Sequence, residues 1–323
     1  MNYKTLTQAI GHTPMIKIPF NLPATMLAKL EYLNPGGSLK DRVALHMIEQ
    51  AERTGKLKPG GTIIDASSGN MGIASAMIGA MKGYKVIITV SEKISTEKYQ
   101  TLLSYGAEVI KCPVTDFIED PRSYHAQAKK LAQKIPNSFM PDQYFNIENA
   151  RAHYLSMGPE IWEQTAGTIT HLFAAAGTGG HVSGVGQFLK EKNPAIKIIA
   201  LDSVNSWRAT NGKPKPYKLE GMGVDFESPV LNKQVIDEFL LVDDESAIAM
   251  LKTMACNYGL LLGPSSGAII HGAYTYAQTL ASDATCVMIL GDSGRAYLTK
   301  NFYHQQQQTS ETTEYMLKKP KLA

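Results

Sequence analysis

Residues 170–192 read THLFAAAGTGGHVSGVGQFLKEK, and the order of residue types in this stretch sets the fold class. A short β-rich apolar run (170–176) ends at four small residues, Gly177-Thr178-Gly179-Gly180, and a helical pattern follows at once. The same succession occurs upstream, where TIIDA (62–66) passes through SSGN into MGIASAMIGAMK. KVIITV (85–90), a helical stretch near 95–105, AEVIKC (107–112), KIIALD (197–202) and TCVMIL (285–290) continue the alternation. Strands alternating with helices of this length predict an α/β protein with mostly parallel sheets covered by helices. In such sheets ligands bind at the carboxyl ends of strands, so both Gly-rich turns are candidate binding elements.

At 323 residues the chain has room for one large core or two modest domains. Its 44% hydrophobic and 19% charged residues are ordinary for a soluble globular protein. A net charge of +3, without a basic block in the part expected to fold, speaks against a nucleic-acid partner. Cys112, Cys256 and Cys286 have neither an even count nor CxxC spacing, so neither a disulfide framework nor a zinc site is expected. A reducing cytoplasm fits that usage. MNYKTLTQAIG carries no apolar signal core, and no apolar run approaches membrane-spanning length, so no membrane partner is expected. FMPDQYFNIEN offers a natural boundary near 140–150, and residues 203–230 read as a long functional loop. From His304 the polar run HQQQQTSETTEYMLKKPKLA reads as a disordered tail, 304–323.

Several motifs carry chemistry, each with a plainer alternative. Backbone N–H groups of Gly177–Gly180 can wrap an anion at a helix start, or the run can be a tight turn that needs small residues. Val182 breaks the GxGxxG fingerprint and no GK[ST] follows, so a nucleotide is not indicated. A smaller phosphorylated cofactor is. SSGNMG (67–72) could hold a carboxylate, although alone it reads as a cap and turn. GPSSG (263–267) matches the GxSxG nucleophile elbow, and the order Ser265, Asp292, His304 would suit a serine hydrolase. No strong strand precedes it and no HGGG-type loop is present, so the context argues against that reading. The eight histidines show no metal-ligand spacing, and most read as surface or satisfied polar residues. Asp243-Asp244 and Glu119-Asp120 read as solvated caps.

NPGGSLKDR (34–42) raises a sharper question. Ser38 with Asp41 reads as a capping box, which puts Lys40 in the first turn of the helix over VALHMIEQAER. There an ammonium faces the positive end of the helix dipole, with Arg42 close by. Lys40 could simply be a solvated surface lysine. The functional alternative is an amine kept neutral enough to act as nucleophile or base. Pyridoxal 5′-phosphate carries both the aldehyde such a lysine would take and the phosphate that the Gly177–Gly180 cradle would hold.

Taken together, NPGGSLKDR, SSGNMGIA, DQYFNIEN, GPEIWEQT, GTGGHVSG and GPSSGA resemble, in order and approximate spacing, the cysteine synthase and cystathionine β-synthase family of fold-type II pyridoxal-phosphate enzymes. The resemblance runs from GHTP (11–14) to about Phe302. It implies two three-layer α/β domains like those of the tryptophan synthase β-subunit, the smaller over 36–142 and the larger over 1–35 and 143–303. It makes Lys40 the lysine that condenses with the cofactor aldehyde. Asn70 would be the partner of the ring hydroxyl, and Gly177, Thr178, Gly179, Gly180 and His181 the phosphate loop. Ser265 would sit at the pyridine nitrogen, and Ser67, Ser68, Gly69, Asn70, Met71 and Gln143 would grip the substrate carboxylate. No metal is implied.

The activity implied is replacement of the β-substituent of O-acetylserine or serine. Sulfide, giving cysteine, is the first expectation and homocysteine, giving cystathionine, the alternative. A homodimer is also implied. Two positions depart from the pattern, Met71 and His181, each standing where threonine is usual. Met71 leaves room for an amine acceptor, as in a diaminopropionate-type synthase. IPNSFMPDQYFN, GMGVDFESPVLNKQVID and GDSGRAYLTKNF lean towards cystathionine β-synthase cores, while no Cys/His haem segment and no regulatory domain pair is expected. A serine hydrolase on Ser265 and a catalytically silent binding protein are the remaining alternatives.

Overall fold

The computed structural model describes residues 3–115 and 118–303. In chain order the first half holds β1 (Met15–Lys17), β2 (Thr25–Leu30), α1 (Lys40–Arg53), β3 (Thr62–Ala66), α2 (Asn70–Lys82), β4 (Lys85–Ser91), α3 (Thr96–Ser104), β5 (Glu108–Cys112), α4 (Tyr124–Lys134) and β6 (Ser138–Phe139). The second half adds α5 (Glu148–Leu155), α6 (Met157–Gln164), β7 (His171–Ala175), α7 (Gly180–Lys192), β8 (Lys197–Ser203), β9 (Glu238–Val242), α8 (Asp244–Tyr258), α9 (Pro264–Ala277) and β10 (Thr285–Leu290). The tail expected from His304 lies outside the described residues.

These strands form two sheets. One is six-stranded, ordered β1-β2-β10-β7-β8-β9, and the other four-stranded, ordered β5-β4-β3-β6. Every pairing is parallel except β1 with β2. The expected α/β class with mostly parallel sheets is therefore what the chain forms. Continuous apolar runs such as TIIDA and CVMIL are buried on both faces, as parallel strands require. Along β10, Cys286, Met288 and Leu290 join one core with α8 and α9, while Val287 and Ile289 join another with α6 and α7. In the smaller sheet, Ile63 and Ile88 face the core shared with α1 and α2, and Ile64 and Ile87 face α4. Between β8 and a 3-10 turn at Lys233–Val235 the chain forms neither helix nor strand, as expected of residues 203–230.

The capping box does not form. Asp41 Oδ2 accepts from the Gly36 N–H at 2.5 Å, and α1 begins after Leu39 with no side-chain cap. Ser38 and Leu39 are already engaged with the segment after β10: Ser38 pairs with Asp292 in a bridge, and the Leu39 N–H donates to the Gly291 carbonyl at 2.9 Å. With its carboxylate turned to Gly36, Asp41 does not reach back to the Ser38 N–H, which is the reciprocal half of the box. Ser38 Oγ still accepts from the Lys40 N–H, at 3.2 Å.

One turn further on, α1 is pinned by buried charge. Arg42 donates through Nε to Glu31 at 2.7 Å and through Nη1 to Glu160 at 2.6 Å, and Glu160 also takes Lys29 Nζ at 2.6 Å. Burial alone would raise the pKa of Glu160, but the bonds and charge of Arg42 outweigh it and hold the carboxyl at about 2. The cluster joins β2, the turn after it, α1 and α6. Breaking such a pair strands its partner's charge in a dry interior. We expect Arg42→Leu to lose about 3–5 kcal/mol of unfolding free energy in urea at pH 7; a loss below 1 kcal/mol would show that the cluster carries little.

Helices α5 and α7 meet backbone to backbone. A Cβ on Gly184 would lie 2.0 Å from the Ala150 carbonyl oxygen, which cannot move without shifting α5. Gly184→Ala is expected to cost about 1–3 kcal/mol in the same urea measurement, despite alanine's better helix propensity.

Candidate active site

Four helix starts meet at the carboxyl ends of the strands. Asn70 opens α2 after β3, Gly180 opens α7 after β7, Lys40 opens α1, and Pro264 and Ser265 open α9. Contacts tie them together. Asn70 Nδ2 donates to Asp292 Oδ2 at 2.7 Å. Ser265 Oγ lies beside Gly221, whose φ is +85°, and the Gly221 carbonyl in turn abuts Gly177. The charge of Asp292 acts on Lys40, and the charge of Lys40 acts on His181.

Lys40 is partly buried, and its pKa falls from 10.5 to about 8 because burial disfavours the ammonium, with Asp292 pulling the other way. The direction is the one expected from the sequence, but the cause differs. Arg42 is spent on Glu31 and Glu160 rather than on Lys40. Asp292 is itself buried, which raises its pKa against the hydrogen bonds from Tyr297 and Asn70; the Tyr297 hydroxyl donates at 2.5 Å. Between pH 8 and 10.5 folding thus releases the Lys40 proton, so this group's contribution to stability rises with pH through that window.

The Gly177–Gly180 turn is buried. Gly179 takes the left-handed conformation at φ +90°. A Cβ on Gly180 would fall 1.9 Å from Asn149 Oδ1, and one on Gly177 would fall 2.7 Å from the Gly221 carbonyl. Thr178 Oγ1 accepts the Gly180 N–H at 3.3 Å and Asn149 Nδ2 at 3.1 Å. The N–H groups of Gly177, Thr178 and Gly179 make no backbone hydrogen bond among the described residues. Unpaired donors at the start of a helix, with only hydrogens for side chains, fit a phosphate.

The second turn is built differently. Ser67 Oγ accepts the Gly69 N–H at 3.3 Å, and Ser68 Oγ accepts the Ser91 N–H at 2.7 Å, so each hydroxyl keeps its proton to donate. Nothing would meet a Cβ on Gly69. The Met71 side chain packs into the core between α1, α2 and the smaller sheet, leaving only its backbone for the loop. Gln143 is buried with Oε1 unpartnered, and its carbonyl accepts from the same Asn149 amide that reaches Thr178, at 2.8 Å. Ser228 Oγ adds a further tie, donating to the Thr178 carbonyl at 2.8 Å.

Asp292, Asn149, Gly221 and Ser228 were not read from the sequence as partners of this site. GDSGR and GMGVDFES could have flagged Asp292, Gly221 and Ser228, and DQYFNIEN, which ends at Asn149, could have flagged that residue, although its role depends on helix packing. His153 and His181 are exceptions to the expectation that most of the histidines are surface or satisfied residues. Both are buried, and none of their four ring nitrogens has a hydrogen-bond partner. The hydrolase arrangement gains no support: Asp292 is committed to Asn70 and Tyr297, and His304 lies outside the described residues. A cavity of about 530 Å³ opens next to Asn70, between the NPGG turn, α3 and Ser293–Ala296, and does not include Lys40, Ser265 or the glycine cradle. Among the described residues no cluster of His, Cys, Asp and Glu could hold a metal ion, and no helix is long and apolar enough to cross a membrane.

Lys40 should react with acetic anhydride in the cofactor-free chain with a midpoint near pH 8, read by peptide mass spectrometry. A free lysine side chain follows a midpoint of about 10.4. A Lys40 midpoint equal to that of a free lysine would show that its amine is not perturbed.

Comparison with known proteins agrees with this geometry. The family described as pyridoxal-phosphate dependent enzyme matches residues 6–292. A cystathionine beta-synthase of Apis mellifera is 43% identical over 301 residues, covering 90% of this chain and 60% of that protein. A cysteine synthase of Staphylococcus aureus is 40% identical over 302 residues, covering 92% of this chain and 96% of that enzyme. The crystal structure of an O-acetylserine dependent cystathionine beta-synthase from Helicobacter pylori superposes with a TM-score of 0.87 at 38% identity, covering 94% of this chain and 100% of that one. The chain thus spans little more than half the length of the animal proteins it matches.

Proposed function

The chain belongs to the pyridoxal-phosphate-dependent enzymes of the cysteine synthase and cystathionine β-synthase family, and from that premise we propose that it replaces the β-substituent of O-acetylserine or serine with sulfide, forming cysteine. The observation that carries the proposal is a lysine with a depressed pKa, set among four helix starts beside a buried glycine cradle in which the N–H groups of Gly177, Thr178 and Gly179 make no backbone hydrogen bond among the described residues.

When bound, the cofactor supplies an aldehyde for an amine and an aromatic ring that draws electrons from the substrate α-carbon. The residues of this chain do the rest. N–H groups of Gly177–Gly180 hold the phosphate, and Ser265 meets the ring nitrogen with a neutral hydroxyl. A hydroxyl does not fix a proton on that nitrogen as a carboxylate would, which favours β-elimination over transamination. Asn70, held by Asp292, meets the ring hydroxyl. Ser67, Ser68, Gly69, the Met71 backbone and Gln143 bind the substrate carboxylate and so orient the α-hydrogen. Lys40 Nζ, its pKa lowered by burial to about 8 so that a useful fraction is neutral near pH 7.5, takes that proton and returns it after the acceptor adds.

A second reading, cystathionine formation with homocysteine, draws support from the full-length match to the O-acetylserine dependent enzyme of Helicobacter pylori. The same proposal includes a cytoplasmic homodimer, small amino-acid and thiol or sulfide substrates, and a smaller α/β domain over 36–142 with a larger one over 1–35 and 143–303.

The deciding experiment supplies O-acetylserine or serine to the purified protein with sulfide, homocysteine or an amine, and identifies the product by mass spectrometry. Cysteine from O-acetylserine and sulfide is expected to form fastest, and Lys40→Ala should lower that rate at least 10³-fold, about 4 kcal/mol of barrier. Faster cystathionine formation would reverse the order of the two readings. No product from any pairing would leave a silent binding protein.

A further inference from the structure

His153 and His181 pose an energetic question that a phosphate loop alone does not answer. His153 lies on α5 with 0% exposure and His181 in the first turn of α7 with 4%. Their ring centroids are 6.0 Å apart at an interplanar angle of 71°, an edge-to-face contact. All four ring nitrogens lack a hydrogen-bond partner among the described residues, and the neighbouring Asn149 Oδ1 lacks one too. Each buried polar atom left so costs about 1–3 kcal/mol, so the cluster asks for a ligand that supplies partners.

Geometry says which ligand. His181 directly follows the cradle in the first turn of α7, where helix side chains lean back towards the N-terminus. Asn149, one turn before His153 on α5, already touches that turn through Thr178. The pair therefore backs the phosphate cradle from the α5 side.

Resting on the proposed seat of the cofactor phosphate, we propose that His181 and His153 form a proton-accepting pair that takes up one proton as the phosphate dianion enters, so that cofactor affinity is linked to pH. Without an anion, burial and the Lys40 charge hold His181 at about 3, and burial, His181, Lys40, Arg42 and His46 lower His153. Both rings are then neutral. A dianion in the cradle reverses the field at close range. The other charged groups facing the pair are already engaged: Arg42 by Glu31 and Glu160, and His46 by Glu148 at 2.7 Å. None of them can serve the phosphate.

The test uses the cofactor-free full-length chain and pyridoxine 5′-phosphate, which has the phosphate but no aldehyde and so cannot bond to Lys40. Above pH 7.5 this phosphate is already a dianion, and linkage requires affinity to fall up to tenfold per pH unit for one proton taken up. The dissociation constant between pH 7.5 and 9 should rise more steeply for the parent than for His181→Asn, which keeps a donor of similar size but cannot be protonated. The expected difference is close to tenfold per pH unit. In the cofactor-loaded protein, ¹⁵N histidine spectra at pH 8 should show one imidazolium, lost in His181→Asn and altered in His153→Gln. Equal slopes in parent and variant, with neutral rings throughout, overturn the pair and leave the family reading standing. Failure of parent and variant alike to bind any cofactor would overturn both.

Discussion

Arg42 is the fixed point of this molecule. Its guanidinium is shared between Glu31, at the end of β2, and Glu160 on α6, and Glu160 is shared again with Lys29. These groups lie in a dry interior, where a missing partner costs more than a present one contributes. The cluster therefore specifies an arrangement more than it adds stability. It sets the direction of α1, whose first residue is Lys40, and the bridge from Ser38 to Asp292 sets its start. With both ends of that short path constrained, the point from which the Lys40 side chain departs is fixed by the backbone.

The electrostatics of the site follow from that placement. Lys40, Asp292, His153 and His181 are each shifted towards neutrality chiefly by burial, and each is kept out of water by the helix starts around it. The donors that remain, three N–H groups of the cradle and those of the serine loop, are dipoles with no proton to lose. A site of this kind binds anions through oriented backbone and keeps its titrating groups for chemistry.

The sequence was most legible where periodicity and punctuation agree. THLFAAA-GTGG and TIIDA-SSGN locate their strands to within a residue and both binding turns, because a buried parallel strand and a glycine turn are local facts. Lys40 was legible from its position in NPGGSLKDR and from the resemblance, though the capping box inferred there is replaced by a bridge to Asp292, some 250 residues away in the sequence. Such a pairing leaves no local mark. The same reason hid the role of Asn149 and the unpartnered state of His153 and His181, which depends on how closely α5 approaches α7. That approach is set by Gly180 and Gly184, residues whose helical spacing is visible but whose neighbours are not.

Asn149 has a consequence for how the enzyme can change. Its one side-chain amide holds both the Gln143 carbonyl and the Thr178 hydroxyl of the glycine turn. The two loops are thus wired in series through a single planar group. A substitution that moves the backbone at 143 would drag the glycine turn with it, so neither loop can be reshaped alone while Asn149 is kept.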